Sequence, residues 1–243
     1  KWEKNTVAIK MLNDNISETT LNSFVEEAIL FFKLRHRNIL TMYGLCNSPK
    51  LGIVMKFAPL GSLFSVLHSK DELPWKKRIT ITRGIAQGLQ YLHDNRIIHR
   101  DLKSANVLLT KSFKAKLSDF GLATIKQEST TGSVQSAAQA VGTLPWMAPE
   151  LFTEHPVYTV KVDVYSLGIV LWEVATRDIP WKTSSPGSLV GAVLMGQRPS
   201  EALPDETPAI YKKYMTQCWF QEPDKRPKID EVVDQLENCK LSI

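Results

Sequence analysis

Cysteine is scarce in this sequence of 243 residues, and its few cysteines are far apart. There are three, Cys46, Cys218 and Cys239, and no two of them form a C-x-x-C pair. An odd number of scattered cysteines predicts neither a disulfide framework nor a zinc site. We therefore interpret them as reduced, packed thiols and expect a cytoplasmic protein.

Long apolar runs and blocks of one charge are also missing. The most apolar stretch, residues 160–175, carries Lys161, Asp163 and Glu173 and is too short to span a bilayer. We expect no signal peptide before Lys1. The 30 Lys and Arg residues and 25 Asp and Glu residues are mixed along the chain and leave a net charge of +5. Without a basic block interleaved with aromatic residues, we expect no nucleic-acid partner and no membrane span.

The remaining composition is typical of a globular protein with a substantial core. Hydrophobic residues make up 43% and charged residues 23%, which is close to the average for folded domains. The length fits one large domain or two small lobes. The first part of the chain contains strand-like runs at 6–10, 39–44 and 51–57 and an amphipathic helix at 21–32. These elements predict a small β-rich lobe with one helix.

Helical patterns dominate the rest of the chain. Apolar residues from Ile81 to Leu92 mark a long helix that ends at the Asp94–Asn95 turn signal. The helix predicted at 162–175 is apolar on all sides, which indicates burial. Between them, residues 107–110 and 114–117 predict a short hairpin. The stretch 125–141 has no apolar period and is predicted to be a loop. A larger, mostly helical second lobe follows from these patterns.

Four short motifs occur in a fixed order along the sequence. They are VAIK at residues 7–10, HRDLKSAN at 99–106, DFG at 119–121 and APE at 148–150. A single tripeptide such as DFG or APE is a weak signal, whereas all four motifs in this order are specific. The predicted helix after the VAIK lysine and the predicted hairpin between HRDLKSAN and DFG add to this specificity. Together they resemble the signature set of protein kinases.

The resemblance covers essentially the whole chain and implies an α+β, bilobal protein kinase fold over residues 1–243. It implies a small β-rich N-lobe at 1–58 and a larger, mostly helical C-lobe at 59–243, with an activation segment at 119–150. The form WMAPE at 146–150 resembles the tyrosine-kinase-like group. Raf, mixed-lineage and receptor-interacting kinases are the members of that group that the sequence resembles most.

The resemblance also implies a catalytic set. Phosphoryl transfer needs charge neutralised on the phosphates and an acceptor held in line, rather than much covalent help. Lys10 would contact the α- and β-phosphates of ATP and would be held by Glu27 on the first helix, with Glu26 as the alternative. Asp101 would accept, or position, the proton of the substrate hydroxyl.

Two further residues would bind the metal, and two would favour one class of substrate. Asn106 and Asp119 supply hard oxygen ligands that suit Mg²⁺ shared with phosphate oxygens. Lys103 would contact the transferring phosphate, and this residue, together with Thr143, favours serine/threonine over tyrosine specificity. His99 is assigned to packing rather than to chemistry.

The nucleotide base is expected between the lobes. By resemblance, Met55 is the gatekeeper, and the Lys56 C=O and Ala58 N–H are the hinge groups that face adenine. Ala8 and Leu108 would lie on either side of the ring. The alternative for these apolar residues is an ordinary place in the core.

Other residues are implied to hold this machinery together. Glu150 and Arg226 resemble the buried ion pair that anchors the activation segment. Asp163 lies in the apolar helix and needs partners, because an unpaired buried carboxylate is costly; in the family it holds the HRD backbone. An internal column joining the lobes would consist of Phe31, Met42, His99 and Phe120.

The sequence departs from the family pattern at its beginning. It contains no G-x-G-x-x-G stretch and starts at Lys1 about where the second strand of that loop would end. In kinases the backbone amides of the loop cover the phosphates. We interpret the absence as truncation of a longer protein, which leaves the activity of this fragment open.

Two functions from different classes remain at this point. The first is transfer of the γ-phosphoryl group of ATP to Ser or Thr hydroxyls of protein substrates in intracellular signalling. The second is a kinase-like scaffold that signals by partner docking. Scaffolds usually replace the VAIK lysine, the HRD aspartate or the DFG aspartate, and this chain keeps Lys10, Asp101 and Asp119. The APE motif and Gly142–Thr143 disfavour a small-molecule phosphotransferase.

Regulation and assembly are expected to follow the family. Arg100 is a cation that a phosphate on the activation segment could neutralise. The candidate phosphosites, among which the sequence does not choose, are Ser129, Thr130, Thr131, Ser133 and Ser136. Dimerisation through the N-lobe, with a second copy or with a different kinase, is common in this group.

Overall fold

The computed structural model describes residues 5–11, 18–48, 50–120, 124–125, 142–200 and 202–239. Its first part consists of β1 (Val7–Met11), α1 (Glu18–Lys33), β2 (Met42–Cys46) and β3 (Gly52–Lys56). The strands form one antiparallel sheet with β3 in the middle, between β1 and β2. This is the small β-rich N-lobe that the sequence predicts.

The register of β1 against β3 brings expected site residues together. Ala8 pairs with Met55, and Lys10 pairs with Ile53. Because successive side chains of a strand point to opposite faces, Ala8 and Lys10 share one face of β1. Ile9 lies on the other face and is half exposed. The VAIK motif thus presents its alanine and its lysine on the same side of the sheet.

The second part of the chain is mostly helical. Its helices are α2 (Leu63–Leu67), α3 (Trp75–Asp94), α4 (Val160–Thr176), α5 (Pro186–Leu194), α6 (Ala209–Cys218) and α7 (Ile229–Glu237). Its strands are β4 (Ile97–Ile98), β5 (Val107–Leu109), β6 (Ala115–Leu117) and β7 (Thr124–Ile125). β5 pairs with β6 and β4 pairs with β7, both antiparallel. Among the described residues, no helix is long and apolar enough to cross a membrane.

Helix α4 is the buried centre of the C-lobe, because its sequence is apolar on every side. Thr159 caps its first turn with its side-chain oxygen, and the helix ends at Arg177 in the left-handed conformation with φ 57°. A Cβ on Gly168 would lie 3.0 Å from the backbone nitrogen of Trp219, so glycine permits the chain after α6 to approach closely. The two carboxylates of α4, Asp163 and Glu173, therefore belong to a tightly packed, buried helix.

Backbone hydrogen bonds join the N-lobe to the C-lobe behind the sheet. The Leu117 N–H donates to the Asn38 carbonyl at 2.8 Å, and the Leu40 N–H donates to the Leu117 carbonyl at 2.9 Å. The segment after α1 is thus bonded to β6, the strand that leads to Asp119.

Ring contacts join the lobes in the core. The ring centroid of Phe120 lies 5.0 Å from that of Phe31 and 5.3 Å from that of His99. Met42, the fourth member of the expected column, is buried as well. These rings connect α1 to the residues before and after the β5–β6 hairpin.

Several element boundaries differ from the predicted ones. The strand predicted at 39–44 instead occupies Met42–Cys46, because Ile39 makes an isolated bridge to Leu117. Helix α3 begins at Trp75, before the apolar pattern at 81–92 becomes visible. Apart from its first residue, which belongs to β7, the loop predicted at 125–141 lies outside the described residues. The lobe boundary after residue 58 stays a prediction.

Candidate active site

Lys10 connects both lobes through carboxylates. Its Nζ lies 2.9 Å and 3.1 Å from the two carboxylate oxygens of Glu27 on α1 and 2.9 Å from Oδ1 of Asp119. Burial lowers the pKa of Lys10, but attraction to Asp119 and Glu27 outweighs it, so the pKa lies above its ordinary value. Glu26 is exposed to solvent. Of the two glutamates that the sequence left as alternatives, Glu27 is the one that contacts Lys10.

Asp101 is held by three side chains from two segments. Its Oδ1 accepts a hydrogen bond from Thr143 Oγ1 at 2.9 Å and lies 3.1 Å from the ammonium of Lys103. Its Oδ2 accepts from Asn106 Nδ2 at 2.8 Å. Lys103 Nζ also donates to Thr143 Oγ1 at 2.9 Å. The carboxylate is therefore fixed in orientation, and the bond from Thr143 is one that the sequence analysis did not foresee.

The backbone beside Asp101 is bonded to helix α4. The two carboxylate oxygens of Asp163 accept the backbone N–H groups of His99 and Arg100, both at 2.9 Å, and one of them also contacts His93 at 2.8 Å. Burial raises the pKa of Asp163, but the hydrogen bond and charge of His93 outweigh it and the net pKa is lowered. Asp163 thus has the partners that its burial requires.

Both ring nitrogens of His99 are engaged within the loop. Nδ1 accepts the Asp101 N–H at 3.3 Å, and Nε2 lies 3.2 Å from the Ser118 carbonyl. With no exposed surface, the ring has an internal role. It orients the loop, as a packing residue does, and offers no free nitrogen for proton transfer.

Glu173 is a second buried carboxylate of α4 and was missed as a site residue. One oxygen lies 2.6 Å from Ser104 Oγ in the catalytic loop, and the other accepts from Trp146 Nε1 at 2.7 Å. Burial raises its pKa to about 7, although the two hydrogen bonds act in the opposite direction. A carboxylate within an otherwise apolar helix was the available signal. Its partners are distant in sequence, so no local pattern identified them.

Comparison with known proteins decides the family. A family model described as protein tyrosine and serine/threonine kinase matches residues 1–236. This chain belongs to that family. The predicted bilobal α+β fold and the assignment to the tyrosine-kinase-like, Raf-type kinases are confirmed.

Curated relatives match almost the whole chain. It is 38% identical over 97% of its length to the probable serine/threonine-protein kinase drkC of Dictyostelium discoideum. It is 36% identical to the serine/threonine-protein kinases STY17, over 95%, and CTR1, over 97%, both of Arabidopsis thaliana. The matched regions make up 32%, 40% and 29% of drkC, STY17 and CTR1. The chain therefore spans well under half the length of these relatives.

The kinase domain offers two oxygen donors for a metal ion. Asp119, at the start of the DFG motif, is about half exposed, and Asn106 lies in the catalytic loop with its amide nitrogen bonded to Asp101. That bond leaves the Asn106 side-chain carbonyl as the donor for a metal. Within the described ranges no group of three or more His, Cys, Asp or Glu residues is arranged to hold a metal. The donor set fits Mg²⁺, which is commonly bound by one or two protein oxygens together with substrate phosphates.

The residues expected around adenine lie at the junction of the lobes. Ala8 and Met55 are neighbours across the sheet, and Lys56 ends β3. Ala58 is buried, and its carbonyl accepts the N–H of Gly61 at 3.0 Å. Leu108 lies on β5, half-buried against the core. The strand register pairs Ala8 with Met55, whereas the adenine contacts of all five residues stay predictions.

Two arginines, Arg226 and Arg100, differ in whether their buried N–H groups have hydrogen-bond partners. Arg226 is fully buried and forms two parallel bonds to Glu150, at 2.6 Å and 2.8 Å, so this expected pair is present. Arg100 has φ 66°, and its guanidinium lies 3.9 Å from the ring centroid of Tyr158. Its Nε and Nη2 are buried without a hydrogen-bond partner in the described part of the chain. The candidate phosphosites lie outside the described residues; they are Ser129, Thr130, Thr131, Ser133 and Ser136.

Proposed function

We propose that this kinase domain transfers the γ-phosphoryl group of ATP to Ser or Thr hydroxyls of protein substrates. The observation that carries the proposal is the Asp101 carboxylate, which Asn106, Thr143 and Lys103 hold in one orientation. The same protein also pairs Lys10 with Glu27. The relatives named serine/threonine-protein kinases support the same substrate class.

The chemistry assigned to these residues is an in-line displacement. The substrate oxygen forms a bond to the γ-phosphorus while the bond from that phosphorus to the β–γ bridging oxygen breaks, and ADP leaves. Asp101 accepts or orients the hydroxyl proton, since its carboxylate is held in one orientation by Asn106 and Thr143. Lys10 holds phosphate oxygens, and Lys103 stabilises the charge on the group in transit.

The proposal also assigns two residues that would hold Mg²⁺. Mg²⁺ neutralises phosphate charge when it is bound. Asp119 and Asn106 are the residues that would hold it, because they are the hard oxygen donors beside Lys10 and Asp101. The adenine would lie by Ala8, Met55 and Leu108.

The test is Mg²⁺-dependent transfer of labelled phosphate from ATP to matched Ser, Thr and Tyr peptides by the full-length protein. Wild type is expected to label Ser and Thr peptides. Asp101→Asn is expected to abolish transfer and leave nucleotide binding nearly intact, because it removes the acceptor charge but keeps the shape. Normal turnover in this variant would refute the role of Asp101. Absence of transfer in wild type, together with tight partner binding, would favour the scaffold.

We also propose a cytoplasmic location for the protein. Cys46, Cys218 and Cys239 are free thiols, and burial raises the pKa of Cys218 to about 12. Such a thiol is inert, and unpaired cysteines are usual in a reducing compartment. Fractionation of cells that express the full-length protein tests this; recovery in a secreted or membrane fraction would contradict it.

A further inference from the structure

A basic cavity lies where the N-lobe meets the C-lobe, and it shares no residue with the catalytic set. Its volume is about 370 Å³, and it lies between the segment after α1, helix α3, the β5–β6 turn and the end of α7. Its lining includes Arg37, Asn38, Arg83, Gln87, Lys114 and Glu237. We call it the Arg37–Arg83–Lys114 cavity.

The cations of this cavity lack acidic partners. Within the described residues, Arg37, Arg83 and Lys114 form no ion pair. The one carboxylate in the lining is Glu237, and it accepts a hydrogen bond from Gln87 Nε2 at 2.6 Å. The cavity is therefore lined by three basic residues and by one acidic residue that already has a polar partner.

Neighbouring groups extend the positive charge beyond the cavity. Burial lowers the pKa of His36, and the nearby charges of Arg37 and Lys116 lower it further. Burial also lowers the pKa of Lys116, with Lys56 and Lys114 acting in the same direction. These cations come from β3, β6 and the segment after α1. The charged surface is thus wider than a single anion needs.

The cavity lining also contains an unsatisfied acceptor. Asn38 is only 6% exposed, and its Nδ2 donates to the Ala115 carbonyl at 3.0 Å. Its Oδ1 has no hydrogen-bond partner in the part of the chain that the structure describes. Leaving a buried acceptor unpaired is unfavourable. An occupant that supplies an N–H donor, as a peptide does, would remove that cost.

We propose that the Arg37–Arg83–Lys114 cavity is a docking site for an acidic segment of a partner protein. A peptide with several Asp or Glu side chains complements cations spread over separate elements and brings backbone N–H groups as donors. Single-stranded nucleic acid fits less well, because it requires aromatic faces on which bases stack. The ring of His36 is already stacked on Tyr91, with centroids 4.8 Å apart and planes at 8°.

The experiment measures fluorescence anisotropy of a labelled peptide of alternating Glu and Gly residues titrated with the kinase at low salt. The test variant is Arg83→Glu with Lys114→Glu. The matched control, Lys212→Glu with Lys213→Glu on α6, makes the same change in net charge at exposed residues outside the cavity. We expect the test variant to bind the peptide about tenfold or more weakly than wild type, because contacts become repulsions. The control is expected to stay within about twofold of wild type.

The outcomes separate the proposal from its alternatives. Equal weakening in both variants would show a nonspecific effect of net charge and overturn it, as would failure of wild type to bind the peptide. Tighter binding of an oligouridine of matched charge would assign the cavity to nucleic acid instead. An unchanged melting temperature in the test variant would show that its fold is intact. Because the readout is binding, the proposal does not depend on the catalytic function.

Discussion

The burial of Glu173 makes the stability of the domain depend on pH near neutrality. Its pKa in the folded chain is about 7 because of burial, against an ordinary value of 4.5. Between these two values the folded state holds a proton that the unfolded state has lost. The folded state therefore binds more protons there, and the free energy of unfolding falls as pH rises until the folded pKa is passed. A difference of this size corresponds to about 3 kcal/mol.

The substitution that tests this is Glu173→Gln. Ser104 Oγ and Trp146 Nε1 both donate to the carboxylate of Glu173. When the oxygen that faces Ser104 is protonated, it donates to Ser104 Oγ instead, while the other oxygen still accepts from Trp146, and a glutamine amide does the same. The variant thus resembles the protonated form at every pH. We expect wild type to lose about 3 kcal/mol more stability than the variant between about pH 5 and about pH 8, because only wild type must ionise.

The assay is urea unfolding of both proteins at the two pH values, with stability extrapolated to water. Other titrating groups are common to both proteins and cancel in the comparison. As a second comparison, Glu173→Ala removes the carboxylate that accepts from Ser104 Oγ and Trp146 Nε1 and leaves both donors unpaired, which costs about 1–3 kcal/mol for each group. Identical pH dependence in wild type and Glu173→Gln would refute the reasoning.

Three further substitutions test other parts of the structure. Lys10→Met should lower the rate of phosphate transfer by orders of magnitude with little change in thermal stability; a collapse of the melting temperature would reclassify Lys10 as structural. Glu150→Ala should cost about 3 kcal/mol in urea unfolding, since it leaves the fully buried Arg226 without its carboxylate, and a change below about 1 kcal/mol would contradict this. Gly168→Ala should destabilise by about 1–3 kcal/mol, because its Cβ would meet the chain after α6 at 3.0 Å; an unchanged midpoint in urea would show that the backbone yields.

The sequence predicted the parts of the site whose chemistry demands particular residues at particular spacings. Lys10, Asp101 and Asp119 belong to motifs that require an ammonium and carboxylates, so they were recognisable without coordinates. The bond from Thr143 to Asp101 and the role of Glu173 depend instead on residues far apart in the chain that only tertiary packing brings together. The spacing of apolar residues along the sequence gives no information about such contacts.

The boundaries of the fold show the same division between local and tertiary signals. The hairpin of β5 and β6 was predicted because both strands are apolar and close in sequence. The start of β2 was wrong because Ile39 and Leu40 pair with Leu117 of β6 instead of joining the sheet of β3. The end of helix α3 at Asp94 was predicted from the turn signal that follows it, whereas its start at Trp75 was not, since its first turns carry Lys76 and Lys77 and hide the apolar stripe.

The ammonium of Lys10 has an unusually full set of partners. It has three N–H groups to donate, and three carboxylate oxygens, two from Glu27 and one from Asp119, lie within 3.1 Å of its nitrogen. A phosphate oxygen can gain an N–H from Lys10 only by displacing one of them. In the proposed function, arrival of a nucleotide at Lys10 and departure of Asp119 from the lysine would then be a single exchange. The affinity for nucleotide would consequently be reduced by the energy of the ion pair that must be broken.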